Sequence, residues 1–390
     1  MTNELVNHLN KILSSASLQS LSPIEKAIHG PSWSKSEEGK ALIEYLESVD
    51  TYSEFNEHLQ LLGNGGASIN LLNLADWLVE RASTVGPEQA EIDINDYMNS
   101  DHFEAYGVML LANTHIDNEF EFYNGIKLVH AYSLNNKWLS QSVQMNSYGQ
   151  SLPLLKTDCV LVCPFQHAKY HWSNTDLESK HSKIDIPYNS LEEVKACLIL
   201  ARPLGYGLQS IATSVVVADN IPIIQSISGW SLHSFKMPPL APSVLNIEMN
   251  RANEILKRLH KLDEKNKTKI LSQVERFNGY SSGASMVDRS IDLRICLESI
   301  FLDDGNKEQL RYTLSLRAAL FLSESLEERK DIVSKMKKAY DVTSTAVHTG
   351  GMPNKNVELL PEVAELARKA ILKIIEIGDI NWQEVELQSK

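Results

Sequence analysis

Asp341, Ser344 and His348 in "YDVTSTAVHTG" fall at i, i+3 and i+7. At 3.6 residues per turn, this spacing lines up a carboxylate, a hydroxyl and an imidazole on one helix face. The imidazole titrates near neutral pH, so the strip has the residue types for the edge of a catalytic site. It also has a plainer reading, because the helix dipole favours a histidine in the last turn. A hydrolase triad is excluded: acid and imidazole sit seven residues apart on one helix, with no nucleophile turn beside them.

Arg317 breaks a second pattern. Leu310, Leu314, Arg317 and Phe321 fall at i, i+4, i+7 and i+11, so a guanidinium interrupts an apolar stripe. Such a charge has to be paired or solvated, and Glu298 and Asp341 are the candidate partners. Two readings follow. Arg317 either fixes helix register through an ion pair or binds an anion, since its planar fork matches phosphate. Lys335, Lys337 and Lys338 form a cationic helix face, with Lys338 a candidate phosphate contact.

Cys159, Cys163, His167 and His171 recur every four residues with His181 nearby, and these residue types suit zinc. The run around the cysteines reads as a strand, Pro164 interrupts it, and zinc-finger spacing is absent. Buried free thiols with surface histidines are the expectation, with no metal and no cofactor. "GYGLQS" (Gly205, Gly207) and "GNGG" (Gly63, Gly65, Gly66) complete no nucleotide-binding pattern and read as turns.

The elements that must position these residues fall into three segments. Residues 1–100 read as short helices such as "SKSEEGKALIEYLESV" and "SINLLNLADWLVERAS", interrupted by loop chemistry in "HGPSWS" and "GNGGAS". Residues 101–245 are rich in short β-branched runs, with an Asn-Gly hairpin signal in "FEFYNGIKLVH". One helix there carries a capping-box pattern, Ser190 with Glu193. Residues 246–390 are helical, with runs at 287–302, 307–322, 326–349 and 361–377 that predict an antiparallel bundle. Ser325 with Glu328 offers a cap for the third run, and Pro361 and Gly378 bracket the fourth. The expected fold class is α+β and multidomain: helical, then β-rich, then an all-α bundle.

Composition agrees with an ordinary globular chain: 390 residues, 43% hydrophobic and 22% charged. No apolar run is long enough for a membrane span and no signal peptide opens the chain, so a cytoplasmic location is expected. A net charge of −13 argues against a broad nucleic-acid-coating surface. From Arg289 onward 15 basic residues face 17 acidic ones, a net of −2, which leaves −11 for residues 1–288. A local phosphate site in the C-terminal part is therefore compatible with the overall charge.

The C-terminal stretch resembles the Apea-like HEPN domain of prokaryotes over about residues 287–378. The blocks that carry the resemblance are the acidic-aliphatic run ending "LES", "LSLRAALFL", "EERKDIV" and "AYDVTSTAVHTGG". Residues 105–245 also look like the β-rich region that often precedes this domain. The family's motif in this branch reads Y-D-x-R-S-x-x-V-H-G. Tyr340, Asp341, Ser344, Val347 and His348 match it, while Thr343 stands in the arginine's place. The resemblance implies a dimerising helical bundle and, in many members, a metal-independent ribonuclease of toxin–antitoxin or anti-phage systems.

On that reading His348 is the general acid/base, Ser344 a polar helper and Arg317 the phosphate partner at a composite dimer site. Thr343, Asp341, Glu298 and Lys338 are the binding candidates. RNA, a second copy and a protein partner such as an antitoxin are the expected partners, with no membrane. Two alternatives stand beside it: a non-catalytic HEPN module that binds RNA or dimerises, favoured by Thr343, and a ligand-sensing regulator built on the β-rich segment.

Overall fold

The computed structural model describes residues 4–15, 31–55, 58–62, 65–111, 114–130, 159–169, 171–172, 187–202, 207–223, 231–232, 243–244, 246–282, 285–302 and 309–387. The chain is mixed α/β, with a β-sheet in its middle and a helical C-terminal region.

The first described residues form α1 (Glu4–Ser15), α2 (Glu37–Ser48), α3 (Leu71–Val85) and α4 (Pro87–Met98). Side-chain oxygens cap two of them: Ser36 Oγ accepts the Gly39 N–H at 3.0 Å and Asn70 Oδ1 the Asn73 N–H at 2.8 Å. Between them lies an unexpected hairpin. β1 (His58–Leu62) pairs antiparallel with β2 (Gly65–Ile69), so the second half of "GNGGAS" is strand rather than loop. Glycine weakens a strand without forbidding it, and pairing decided the outcome here.

The middle segment supplies β3 (His102–Leu111), β4 (His115–Ile116), β5 (Phe120–Glu121), β6 (Lys127–His130), β7 (Cys159–Ala168), β8 (His171–Trp172), α5 (Tyr188–Ala201), β9 (Ser210–Val217), β10 (Ser231–Leu232) and β11 (Ser243–Val244). Six strands pair antiparallel in the order β10-β9-β3-β7-β6-β5. β8 joins β1 instead, and β4 pairs in parallel with β11. The expected Asn-Gly hairpin joins β5 to β6. Phe122 and Ile126 close its loop, and Gly125 takes φ +81°, a conformation glycine adopts without steric cost. Ser190 caps nothing, because α5 already begins at Tyr188.

The expected boundaries at 100 and 245 do not coincide with core boundaries. One core joins the N-terminal helices to Phe103, Ala105, Val215 and Val217 at one end of the sheet. A second joins Met109, Leu111, Leu128, Leu161 and α5 to the C-terminal helices. The tip of the β5–β6 hairpin is tied to the helices by a polar cluster as well. The Tyr123 hydroxyl meets His260 Nδ1, and buried Glu193 lies 2.7 Å from His260 Nε2 and 3.1 Å from Lys267 Nζ.

The C-terminal helices are α6 (Asn246–Leu259), α7 (Glu264–Ser282), α8 (Met286–Phe301), α9 (Leu310–Leu322), α10 (Leu326–Thr349), α11 (Leu360–Ile377) and a short α12 (Trp382–Leu387). Ser285 caps α8 by accepting the Asp288 N–H, and Gly350 closes α10 at φ +66°. Ser325 makes no side-chain cap. Ser323 Oγ donates to Glu328 Oε2 at 2.6 Å and accepts the Ser325 N–H, taking over the expected role.

Contacts between helices set their relative levels. Arg294 of α8 and Arg311 of α9 meet Tyr340 and Asp341 of α10, while Ser290 meets Met352 just past the end of α10. α8 and α9 therefore both run against α10 and in the same general sense as each other, so the bundle is not a simple antiparallel one. Their C-terminal halves are locked by Arg317, only 2% exposed. It donates to the Phe301 carbonyl at 2.9 Å and to Glu386 at 2.6 Å, and lies over the Trp382 ring. Among the described residues no helix is long and apolar enough to cross a membrane.

Truncating Arg317 opens a hole and orphans the Phe301 carbonyl, so Arg317→Ala is expected to cost about 3–5 kcal/mol in urea denaturation. Glu386→Gln should cost clearly less, since its side chain is 34% exposed and water can replace it. Equal losses from both changes would mean that the ion pair alone carries the effect.

Candidate functional site

Lys337, Asp341, Ser344 and His348 form one stripe on α10 at i, i+4, i+7 and i+11. The strip expected from sequence is thus real and one turn longer. Ala339, Val342, Thr343 and Ala346 on the opposite side are buried in the bundle. His348 is exposed in the last turn, and among the described residues it has no hydrogen-bond or ion-pair partner. Ser344 is half-buried.

Further back along α10, two arginines from neighbouring helices converge. The Arg294 guanidinium stacks 3.6 Å from the Tyr340 ring centroid, is held by Glu298 and reaches the Tyr340 carbonyl at 3.4 Å. Arg311 donates to Asp341 Oδ2 at 2.6 Å across an exposed surface. Burial pushes the Tyr340 phenol up; Arg294 opposes that rise and Glu298 and Asp341 add to it.

Arg317 is not part of this surface. It sits six residues beyond Arg311 on α9, while His348 lies seven beyond Asp341 in the other direction. At 1.5 Å per residue the two are ~20 Å apart along the bundle. The expected partners have separated accordingly: Glu298 pairs with Arg294, Asp341 with Arg311, and Arg317 with Glu386. Sequence spacing could not show this, because Glu386 lies on a short helix beyond the four predicted runs.

Thr343 also departs from its expected binding role. It is fully buried and its hydroxyl donates to the Tyr340 carbonyl at 3.2 Å, so it cannot touch a ligand. Lys338 is exposed as expected. The residues that sequence reasoning passed over are Arg294, Arg311 and Tyr312. Two signals were present: Arg294 precedes Glu298 by four residues, and an adjacent Arg-Tyr pair opens the run that interrupts its own apolar stripe at Arg317.

Among the described residues the cysteine–histidine cluster gathers no metal site, and the His171 side chain lies outside them. Cys159 and Cys163 face the same core, and burial pushes the Cys163 thiol up to about 11. His167 is buried against Phe103 with Nδ1 2.8 Å from the Ala168 carbonyl, and burial pulls its pKa down. Among the described residues no group of three His, Cys, Asp or Glu side chains could hold a metal ion; His181 lies outside them. Of the glycine stretches, Gly65 and Gly66 are in β2, and Gly63 and Gly205 lie outside the described residues.

A separate cavity of about 720 Å³ lies between α5, β9 and α7. On its walls Lys195 pairs with Glu192 and Arg276 with Asp292, while Gln209 Oε1 is without a partner among the described residues. Comparison of the chain with protein-family models, with curated proteins and with solved structures gives no match.

Because position 343 is closed, Thr343→Arg should not simply add a cation to the exposed stripe. It forces a guanidinium into the bundle, and the expected loss is at least ~3 kcal/mol in urea denaturation, against ~1 for Thr343→Val. Wild-type stability in the arginine variant would show that the side chain escapes to the surface.

Proposed function

We propose that the chain is a HEPN-family protein, acting in the cytoplasm as a metal-independent RNA-cleaving effector of a prokaryotic defence or toxin–antitoxin system. The observation that carries this reading is the exposed, unpartnered His348, aligned with Ser344 on the α10 stripe and leading back to Arg311 and Arg294. Cleavage without a metal uses the RNA 2′-hydroxyl as nucleophile. It needs a proton acceptor and donor within hydrogen-bond reach and positive charge near the phosphate. His348 supplies the proton transfer and Ser344 a hydrogen bond.

Within one chain the described residues bring no cation up to His348. Thr343 brings no charge, Arg317 is buried far away, and Arg294 and Arg311 lie two turns along the helix and are already paired with carboxylates. A second copy is therefore part of the proposal. Ile295 on α8 and Val347, next to His348 on α10, are large apolar side chains at 38% and 47% exposure. A homodimer through this face buries them and brings a second set of arginines toward His348. The N-terminal helices and the sheet then serve regulation, with a protein partner such as an antitoxin.

A second reading has its own support. Thr343 fills the motif arginine's place with a buried, neutral side chain, which favours a HEPN module that binds RNA or dimerises without cutting. The cavity beside Gln209 offers a place for the separate alternative of a ligand-sensing regulator.

Purified protein incubated with cellular RNA in EDTA decides between cutting and binding. Cleavage is expected from wild type and not from a folded His348→Ala variant; cleavage that persists in the variant, or is absent from wild type, removes the ribonuclease reading. Replacing Ile295 or Val347 by Glu is expected to convert a dimer to monomer in sedimentation and to abolish cleavage. A dimer that survives both changes would place the interface elsewhere.

A further inference from the structure

At the start of α9, a shallow groove of about 520 Å³ is lined by Gln309, Leu310, Arg311, Tyr312, Lys337 and Tyr340. Its walls alternate cations with aromatic rings. Tyr312 is 52% exposed although it is a large ring on an ordered helix. The Lys337 ammonium lies 5.4 Å from the Tyr312 ring centroid and makes no ion pair among the described residues. Arg311 points its guanidinium along the groove toward Asp341 and the Lys337 carbonyl. Lys338 is exposed on the next position of α10.

Among the described residues at the groove, Arg311, Lys337 and Lys338 stand against the carboxylate of Asp341, a positive patch on a chain whose net charge is −13. A polyanion is therefore drawn to this patch while much of the remaining surface repels it. The exposed ring adds a second requirement, for a flat partner. Nucleic-acid bases meet both when unpaired, because a single strand can present a base face to an aromatic ring and its phosphates to flanking cations. A duplex keeps those faces stacked inside.

We infer that this groove is a binding subsite for single-stranded RNA, with a base stacked on Tyr312 and a backbone phosphate held by Arg311 and Lys337. The inference rests on the ribonuclease reading for the identity of the strand and adds where the strand lies. Lys337 and His348 are eleven residues apart on one stripe, ~16 Å along the helix. That distance matches about four or five stacked nucleotides at 3.4 Å each. The subsite thus grips the strand a few nucleotides from the proposed scissile bond and does no chemistry itself.

The probe is a short fluorescent 2′-O-methyl oligoribonucleotide, which binds as RNA but lacks the nucleophile for cleavage. Tyr312→Ala is expected to weaken its binding roughly five- to 150-fold, the usual range for losing one stacked base. Tyr312→Phe should bind like wild type, since the ring and not the hydroxyl is used. Lys337→Gln should lower the slope of log affinity against log salt by about 0.7, the value for one single-strand phosphate contact. Melting curves of the variants, all changed at surface positions, check that the fold is kept.

Unchanged affinity in Tyr312→Ala, or equal binding of a duplex of the same length, overturns the subsite. If His348-dependent cleavage of ordinary RNA then persists, the ribonuclease reading stands without it. A wild-type protein that neither binds the probe nor cleaves RNA overturns both.

Discussion

A buried guanidinium sets the level at which the C-terminal helices meet. Arg317 reaches the last carbonyl of α8 through Phe301, carries Glu386 of α12 as its counter-ion and lies over Trp382, whose ring packs against Phe301 and Phe321. A charge in that position is tolerated only while each of these partners is in place. The consequence appears at the other end of the same helices. With α8 and α9 held level at Phe301 and Arg317, Arg294 and Arg311 arrive together at Tyr340 and Asp341. The arginine that breaks the apolar pattern thus acts on the exposed surface indirectly, by fixing where two others stand.

That arrangement divides α10 between two environments. Its inner face, Val342, Thr343 and Ala346, is packed without exposed area to spare. Its outer stripe is polar from Lys337 to His348 and ends at Gly350, whose left-handed conformation stops the helix two residues past the imidazole. The ordinary dipole reading of a terminal histidine and the chemical reading do not compete here. A histidine favoured at the end of a helix is also one left exposed, with neither ring nitrogen committed to a neighbour among the described residues.

Much of this was legible in the sequence. The four long C-terminal helices begin and end close to their expected limits because apolar periodicity, Pro361 and the glycines at 350 and 378 act locally. The Asn124–Gly125 turn is local in the same way. What was not legible depends on partners distant in the chain. Glu386 claims Arg317 from 69 residues away, and the sheet shares its apolar face between N-terminal and C-terminal helices. The capping boxes failed for a subtler reason. Ser190 and Ser325 have suitable spacing, but α5 starts two residues earlier and Ser323 reaches Glu328 first.

The position of Thr343 bears most directly on what the surface can do. A motif read as letters places an arginine five residues before the histidine, as though one side chain were missing from an otherwise complete set. On an α-helix five residues correspond to about 500° of rotation, so the two positions cannot share a stripe. Thr343 duly faces the bundle while His348 faces solvent. An arginine at 343 reaches the outer surface only by threading its long stem past Tyr340, which Arg294 already covers. The buried threonine at 343 and the stacking of Arg294 on Tyr340 are therefore two parts of one packing solution. On the proposed ribonuclease reading, the positive charge needed at His348 comes from a neighbouring helix such as α8, in this copy or a second one.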